Sequence, residues 1–379
     1  MKLSKKELQN NSNSQNIKKA FILGLFILSW IPTIAKAPYL SAEELLSPPP
    51  RIIRTCCSFG SNVGFAVIPF VKETDITSIQ NMGSHQYMGC KDEQNGNIYT
   101  KSGGFIDMGH VRDCADWTAY LYNLILSGKN KVAGVTKVLG REGGLKTLLL
   151  YLPPELDSLM ASELAGKIAY DLSLWHEIST WYGSSYIPFV PERYSSFSPE
   201  DLYSNLLGVT LGIQALRSDL EYNDAMTQLI AKMLDSLECV ATVDETFTAM
   251  EKVEDVWWTR DKRLPSKKIL LKRFMDSDTY LTPWLLPEDT CDFVPHKIEK
   301  PASYLSDLYE LRIKLNHKFP VKRKFSAQLD KTITSKDFDV LKSYIEQDVD
   351  KLNQKVAIHS QRSNIRKENR LTRKMRTNI

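Results

Sequence analysis

The sequence predicts a mainly α, α+β fold, with a bundle-like helical core preceded by a small strand- and loop-rich region. Three observations predict it. From Asp107 to about Trp258, apolar residues recur at helical spacing, and Gly128 and Gly183 stop two of the segments. From Arg51 to Gly104 the chain is rich in Gly, Ser, Asn and β-branched residues, as in Val63-Gly-Phe-Ala-Val-Ile68 and Asn97-Ile-Tyr-Thr100, which reads as short strands and loops. With 42% hydrophobic residues, a chain of 379 can bury a substantial core.

The elements follow in order. Met1 to Lys19 is polar and basic, Ala20 to Ile31 is an apolar run, and Pro32 precedes a small-residue exit at Thr33-Ile34-Ala35 or Ala35-Lys36-Ala37. These are the three parts of a secretory signal. Twelve apolar-rich residues fall short of the roughly 20 that span a membrane. Residues 1–35 are therefore expected to be a cleavable signal, directing the protein to the periplasm or outside; an uncleaved inner-membrane anchor is the alternative. Residues 51–300 are expected to form one main domain, with a strand- and loop-rich part at 51–104 and a helical core at 105–258. Candidate helices are Asp107 to Ser127, Glu155 to Tyr182, one opening at Ser198-Pro199-Glu200-Asp201, Tyr222 to Val240 and Glu245 to Trp258. Ser198 fits an N-cap, Pro199 the first helical position, and Asp201 closes a capping box. Thr259 to Pro301 shows little order. Residues 301–360 read as a helical extension, with helices at Ala302 to His317 and from the Thr334-x-x-Asp337 capping box to about Ile358. Residues 361–379 form a basic tail.

Charge narrows the function classes. The chain carries +4 overall, but the leader to Ala37 contributes +5 and the tail from Gln361 contributes +6, leaving the body near −7. An acidic body argues against nucleic acid as a partner. The tail suits an anionic surface, or is simply a solvated, partly disordered terminus. Six cysteines (Cys56, Cys57, Cys90, Cys114, Cys239, Cys291) permit disulfides in an oxidising compartment, but spacing does not give their pairing. Cys114 and Cys239 fall inside helical patterns and read as small buried hydrophobes.

Polar residues cluster at three places. Asp107, His110 and Asp113 are spaced three apart at the head of the first long helix, with Arg112 between them. A carboxylate three residues from an imidazole resembles the Glu-x-x-His spacing of metal sites in helical bundles. His176-Glu177 opens like the zinc-protease motif His-Glu-x-x-His, but Thr180 replaces the second His, so one imidazole is missing from that grip. Glu200, Asp201 and Asn205 at the head of the third helix complete the set. Each cluster also has a plain account: histidines among Trp and Tyr are often hydrogen-bonded core residues, and acidic residues favour helix N-termini.

The segments Arg54-Thr-Cys-Cys-Ser-Phe-Gly60, Tyr99-Thr-x-x-Gly-Gly-Phe-Ile-Asp-x-Gly-His-Val-Arg-Asp113, Trp175-His-Glu-Ile-Ser-Thr-Trp-Tyr-Gly183 and Phe197-Ser-Pro-Glu-Asp-Leu-Tyr-Ser-Asn-Leu-Leu-Gly208 resemble those of a secreted bacterial family of unknown function, number 4056 among such domains. The resemblance runs from about Arg51 to about Asp350. It implies a Gram-negative envelope setting and no particular reaction.

Three functions fit the residues. The first is a metal-dependent envelope hydrolase, with zinc or another divalent transition metal held by His110, His176 and carboxylates such as Asp107, and with Glu177 or Asp113 as the base. Arg112, Glu200, Asp201 and Asn205 would then bind substrate. The second is a thiol hydrolase with Cys57 as nucleophile and His110 as base. The third is a non-catalytic module binding an envelope partner or polymer. Convergence of the polar side chains on an open cleft would favour catalysis.

Overall fold

The computed structural model describes residues 40–50, 52–54, 59–61, 75–129, 131, 134–184, 192–259, 269–275, 278–316 and 332–377. The leader, the Cys56-Cys57 pair and Val63 to Ile68 lie outside the described residues. Seven α-helices occur among these residues: α1 (Ala42–Leu46), α2 (Met108–Gly128), α3 (Ser158–Trp181), α4 (Asp201–Leu216), α5 (Tyr222–Ser236), α6 (Val243–Lys252) and α7 (Phe338–Thr377). Helices dominate and the sheets are small and antiparallel, so the fold is mainly α with an α+β character.

The core is the packing of α2, α3 and α4 on one another. Its close approach depends on small residues. A Cβ on Gly208 would lie 2.1 Å from the carbonyl oxygen of Val111, and one on Gly212 would lie 3.0 Å from Ala115 Cα. These two glycines, one helical turn apart on α4, let its backbone lie against α2. Gly166 does the same for α3 against Val209 and Ile213 of α4. The helix-rich reading of the sequence is thus met for the five helices expected between Asp107 and Trp258, with most of their ends shifted. The expected start at Ser198 becomes a turn: Ser198 N–H donates to Asp201 Oδ2 at 2.8 Å, and the helix proper begins at Asp201.

Two segments depart from the reading. Ala302 to His317 was expected to be helical, but it forms a short 3-10 turn at Ser303–Asp307 followed by strand β9 (Tyr309–Leu315). Its Tyr-x-Leu-x-Ile-x-Leu alternation puts Tyr309, Leu311 and Ile313 on one buried face, and that period of two prevails over helix propensity. β9 is central to a four-stranded antiparallel sheet of order β10-β9-β4-β3, with β3 at Val135–Arg141, β4 at Gly144–Leu150 and β10 at Thr332–Thr334. The β3–β4 hairpin turns at Glu142-Gly143, where Gly143 has φ 64°, a region open to glycine. Leu148, Leu150, Leu311, Ile313 and Ile333 join the sheet to the main core. The second departure is the tail. Expected as partly disordered, it continues α7 to Thr377, in a stretch free of Gly and Pro from Phe338 onward.

The remaining sheets are two-stranded hairpins. β1 (Asn97–Thr100) pairs with β2 (Gly104–Asp107), which leads directly into α2. The β5–β6 (Trp258–Thr259, Ile269–Leu270) and β7–β8 (Tyr280–Leu281, Ile298–Glu299) hairpins lie in the stretch that showed little order in sequence. No described helix is long and apolar enough to cross a membrane.

Candidate functional site

The site forms where the head of α2, the head of α4 and the C-terminal part of α3 meet. Asp107 caps α2, accepting from Gly109 N at 2.7 Å and His110 N at 3.2 Å, while its own N–H donates to Ser204 Oγ of α4 at 2.9 Å. This fixes His110 in the first turn and ties it to α4. On α3, Glu177 is held by the loop before α4: Phe197 N–H donates to Glu177 Oε2 at 2.7 Å, and Ser196 Oγ donates to the Glu177 carbonyl at 2.8 Å. Phe197 adopts φ 54°, an uncommon conformation for a bulky residue, and is wholly buried. The loop is therefore over-determined, and it presents its N–H groups to Glu177 and Asp201.

The result is a compact donor set. His110, Glu177 and Asp201 are all buried, and one ligand atom from each lies within 4.8 Å of the other two. His110 Nδ1 is 3.6 Å from Asp201 Oδ1. Burial, and next the charge of Asp201, push the Glu177 carboxyl well above its usual value. Glu200, beside them and fully buried, is pushed up by the same two causes. Arg273 adds positive charge nearby. Burial and then Arg193 bring it down to about 9, against the pull of Asp201 and Glu177. The Arg193 and Arg273 guanidinium carbons lie 4.3 and 4.9 Å from the Trp181 ring centroid.

Beside the triad is an open cavity of about 60 Å³, and His110 belongs to both. One wall is a polar relay: Lys146 Nζ donates to Glu142 Oε2 at 3.0 Å, and Glu142 Oε1 lies 2.8 Å from His176 Nδ1. The His110 and His176 rings stand edge to face with centroids 6.5 Å apart. Asn205 reaches the cavity from α4. Its Oδ1 accepts from the Cys114 thiol at 3.2 Å, and its Nδ2 has no hydrogen-bond partner among the described residues. A buried amide nitrogen left in that state costs about 1–3 kcal/mol. Burial pushes the Cys114 thiol up to about 12, so it stays protonated and serves as a donor, not as a nucleophile.

The structure separates residues that the sequence grouped. His110, His176, Asp113 and Asn205 line one cavity, and Glu177 and Asp201 stand behind His110. Asp107 does not join them as a ligand: Oδ1 caps the helix, because the residue sits at the N-cap, outside the helical face shared by His110 and Asp113. His176 falls outside the triad because Glu142 engages it on the cavity wall. Asp113 and Arg112 serve a buried charge cluster. Arg54 bonds Glu93, Asp113 and Asp116, while Arg112 donates to the Gly83 carbonyl and faces Glu93 at 3.4 Å. Cys57 lies outside the described residues; Cys90, Cys114, Cys239 and Cys291 are free thiols. Glu142 and Lys146 were missed. They lie in and just after a tight hairpin turn, and no local motif linked them to a histidine 34 residues away.

A search of curated proteins and of solved structures found no match. A family model does match, over residues 44–287, well over half of the chain. It ends short of the Asp350 limit expected from the motifs, before β9 and α7, yet spans the triad, Glu142, His176 and Asn205. The chain therefore belongs to the family described as protein of unknown function (DUF4056).

Proposed function

We propose that the protein is a metal-dependent hydrolase whose divalent ion is held by His110, Glu177 and Asp201. One observation carries this reading: an imidazole and two carboxylates, all buried, with ligand atoms mutually within 4.8 Å. Two buried carboxylates this close are unfavourable unless a proton or a cation lies between them. A divalent ion neutralises both, and the nitrogen-plus-oxygen donor set suits zinc, iron or manganese. His110, Glu177 and Asp201 would hold the ion, which would supply Lewis acidity for activating water. Glu177, expected as the base, becomes a ligand. Proton exchange with the leaving group then falls to His176, which Glu142 orients at 2.8 Å on the cavity wall. The leader sequence supports an envelope setting, which fractionation with and without residues 1–35 would test.

The experiment is metal analysis of the purified full-length protein, as isolated and after stripping and reloading with zinc or manganese. About one ion per chain is expected. It should be lost in His110→Ala and Asp201→Asn and kept in His176→Ala. If the folded native protein takes up neither zinc nor manganese stoichiometrically, the reading fails, and the carboxylates share a proton beside Arg273 instead.

A further inference from the structure

The cavity beside the triad has a chemistry of its own. Its charged lining groups are already compensated. Arg54 gives Nε to Glu93, Nη1 to Asp113 and Asp116, and Nη2 to Glu93 and the Gln86 carbonyl. Lys146 and Glu142 pair at 3.0 Å. Among the described residues, no lining guanidinium or ammonium is left without a carboxylate, so these offer no uncompensated cation for a phosphate or carboxylate. Ile52, Trp117 and Leu172 supply apolar wall. The space of about 60 Å³ corresponds to roughly four to six waters, the bulk of a short acyl group.

One buried amide in the lining keeps a donor without a partner among the described residues. Asn205 is 3% exposed and lines the cavity; its Oδ1 is engaged by the Cys114 thiol, which leaves the amide N–H groups as the unpartnered end. A buried neutral donor at the cavity wall, which His110 of the triad also lines, matches a carbonyl oxygen that becomes negative during reaction.

Resting on the metal reading above, we propose that the substrate is an uncharged short-chain acyl compound, an ester or amide, and that Asn205 Nδ2 donates to its carbonyl oxygen. Water oxygen bonds to the carbonyl carbon, and the bond from that carbon to the alcohol oxygen or amine nitrogen breaks. One water proton goes to the departing alcohol or amine, and the other stays with the carboxylic acid formed. The rest of a larger substrate lies outside the cavity.

The test uses the full-length, metal-loaded protein with p-nitrophenyl acetate and p-nitrophenyl phosphate as probes, with metal content and melting temperature measured for every variant. Acetate should be cleaved well above the metal-stripped background, and phosphate should not. Asn205→Ala should keep the native metal content and lower kcat about 10²- to 10³-fold with little change in KM. Asn205→Asp, similar in size but without the donor, should do the same and covers the case in which the alanine variant does not fold. Preference for the phosphate, or cleavage of neither probe by the loaded native protein, would overturn the substrate class. Full activity in either folded Asn205 variant would overturn its role. Ester cleavage that survives metal stripping and His110→Ala, yet falls in Asn205→Ala, would reject the metal while leaving the Asn205 assignment standing.

Discussion

Replacing Arg54 by Met should destabilise the protein by about 3–5 kcal/mol at neutral pH, the range for stripping one partner from a buried ion pair. The guanidinium holds Glu93 at 2.6 and 2.7 Å, Asp116 at 2.8 Å and Asp113 at 3.1 Å, and the Glu93 and Asp116 side chains have no exposed surface. Methionine fills much of the volume but takes away their shared counter-charge, leaving Asp116 with Met88 N, Tyr222 and His85, and Glu93 with Gln86 N, as the main remaining partners. Arg112, at 3.4 Å, offers Glu93 only a weaker substitute. The same contacts bear on the proton affinity of Glu93. Burial acts to raise the Glu93 carboxyl, but the Arg54 hydrogen bonds and charge prevail and bring it down to about 2, from an ordinary 4.5. At about 1.4 kcal/mol per pH unit that gap is worth about 3 kcal/mol.

The sign follows from the lowered native value. Glu93's contribution is fully present above pH 4.5 and is lost as the pH falls toward about 2. Without Arg54, burial raises the Glu93 carboxyl, so the variant gains from protonating Glu93, a gain the native protein lacks at that residue. The stability gap should therefore narrow as the pH drops from neutral toward about 4.5. Urea unfolding followed by tryptophan fluorescence at several pH values measures it. Equal stability at neutral pH, or a gap that does not change with acidification, would refute the claim that Arg54 neutralises these carboxylates.

Other consequences are as direct. Gly208→Ala puts a Cβ 2.1 Å from the Val111 carbonyl oxygen; it should cost about 1–3 kcal/mol or more in thermal unfolding and, by separating α2 from α4, weaken zinc uptake. His176→Ala should retain bound metal yet slow ester cleavage, since the side chain faces Glu142 and stands outside the triad; loss of the ion in that variant would return His176 to the ligand set. Asp157→Ala removes the side chain that accepts from Met160 N at 2.7 Å at the head of α3, and should cost about 1 kcal/mol in denaturant unfolding without touching metal content.

What could be read in the sequence depended on whether the determining contacts were local. Helices announce themselves by periodicity and caps, and the Thr334–Asp337 capping box does stand at the head of the 3-10 turn, Ser335–Asp337, that leads into the last helix. β9 was misread because six of its seven residues, the Leu, Ile, Glu, Lys and Arg that follow Tyr309, also suit a helix; its strand state is set by pairing with β4, more than 150 residues earlier. The three polar clusters were visible, and all three contribute to the site: His110, Glu177 and Asp201 come one from each. Their allocation was not visible. Whether Asp107 or Asp201 meets His110 depends on a helix-to-helix approach set by Gly208 and Gly212, and glycine inside a helical pattern does not say what it lies against. Glu142, Lys146 and Arg273 carry no motif at all; only the fold brings the first two to His176 and the third to Glu177 and Asp201.

The first turns of α2 explain why one short stretch of sequence looked like one site and is several. Spacing of three, four and seven from His110 places Asp113, Cys114 and Trp117 along the cavity, while Arg112 and Asp116 enter the charge cluster on another face. Asp113 belongs to both. Besides pairing with Arg54, it accepts from Ile53 N at 3.0 Å and Arg54 N at 3.3 Å, and so holds the segment whose Ile52 and Arg54 form part of the cavity wall. Cavity and cluster are thus coupled through one carboxylate. Glu93→Gln weakens the cluster but leaves the backbone bonds to Asp113 in place, so it should lower stability with the cavity intact. Asp113→Ala releases the wall itself, and should loosen discrimination between short and long acyl esters by more than its loss of stability alone would cause. Equal discrimination in the two variants would show that the wall is held by something other than Asp113.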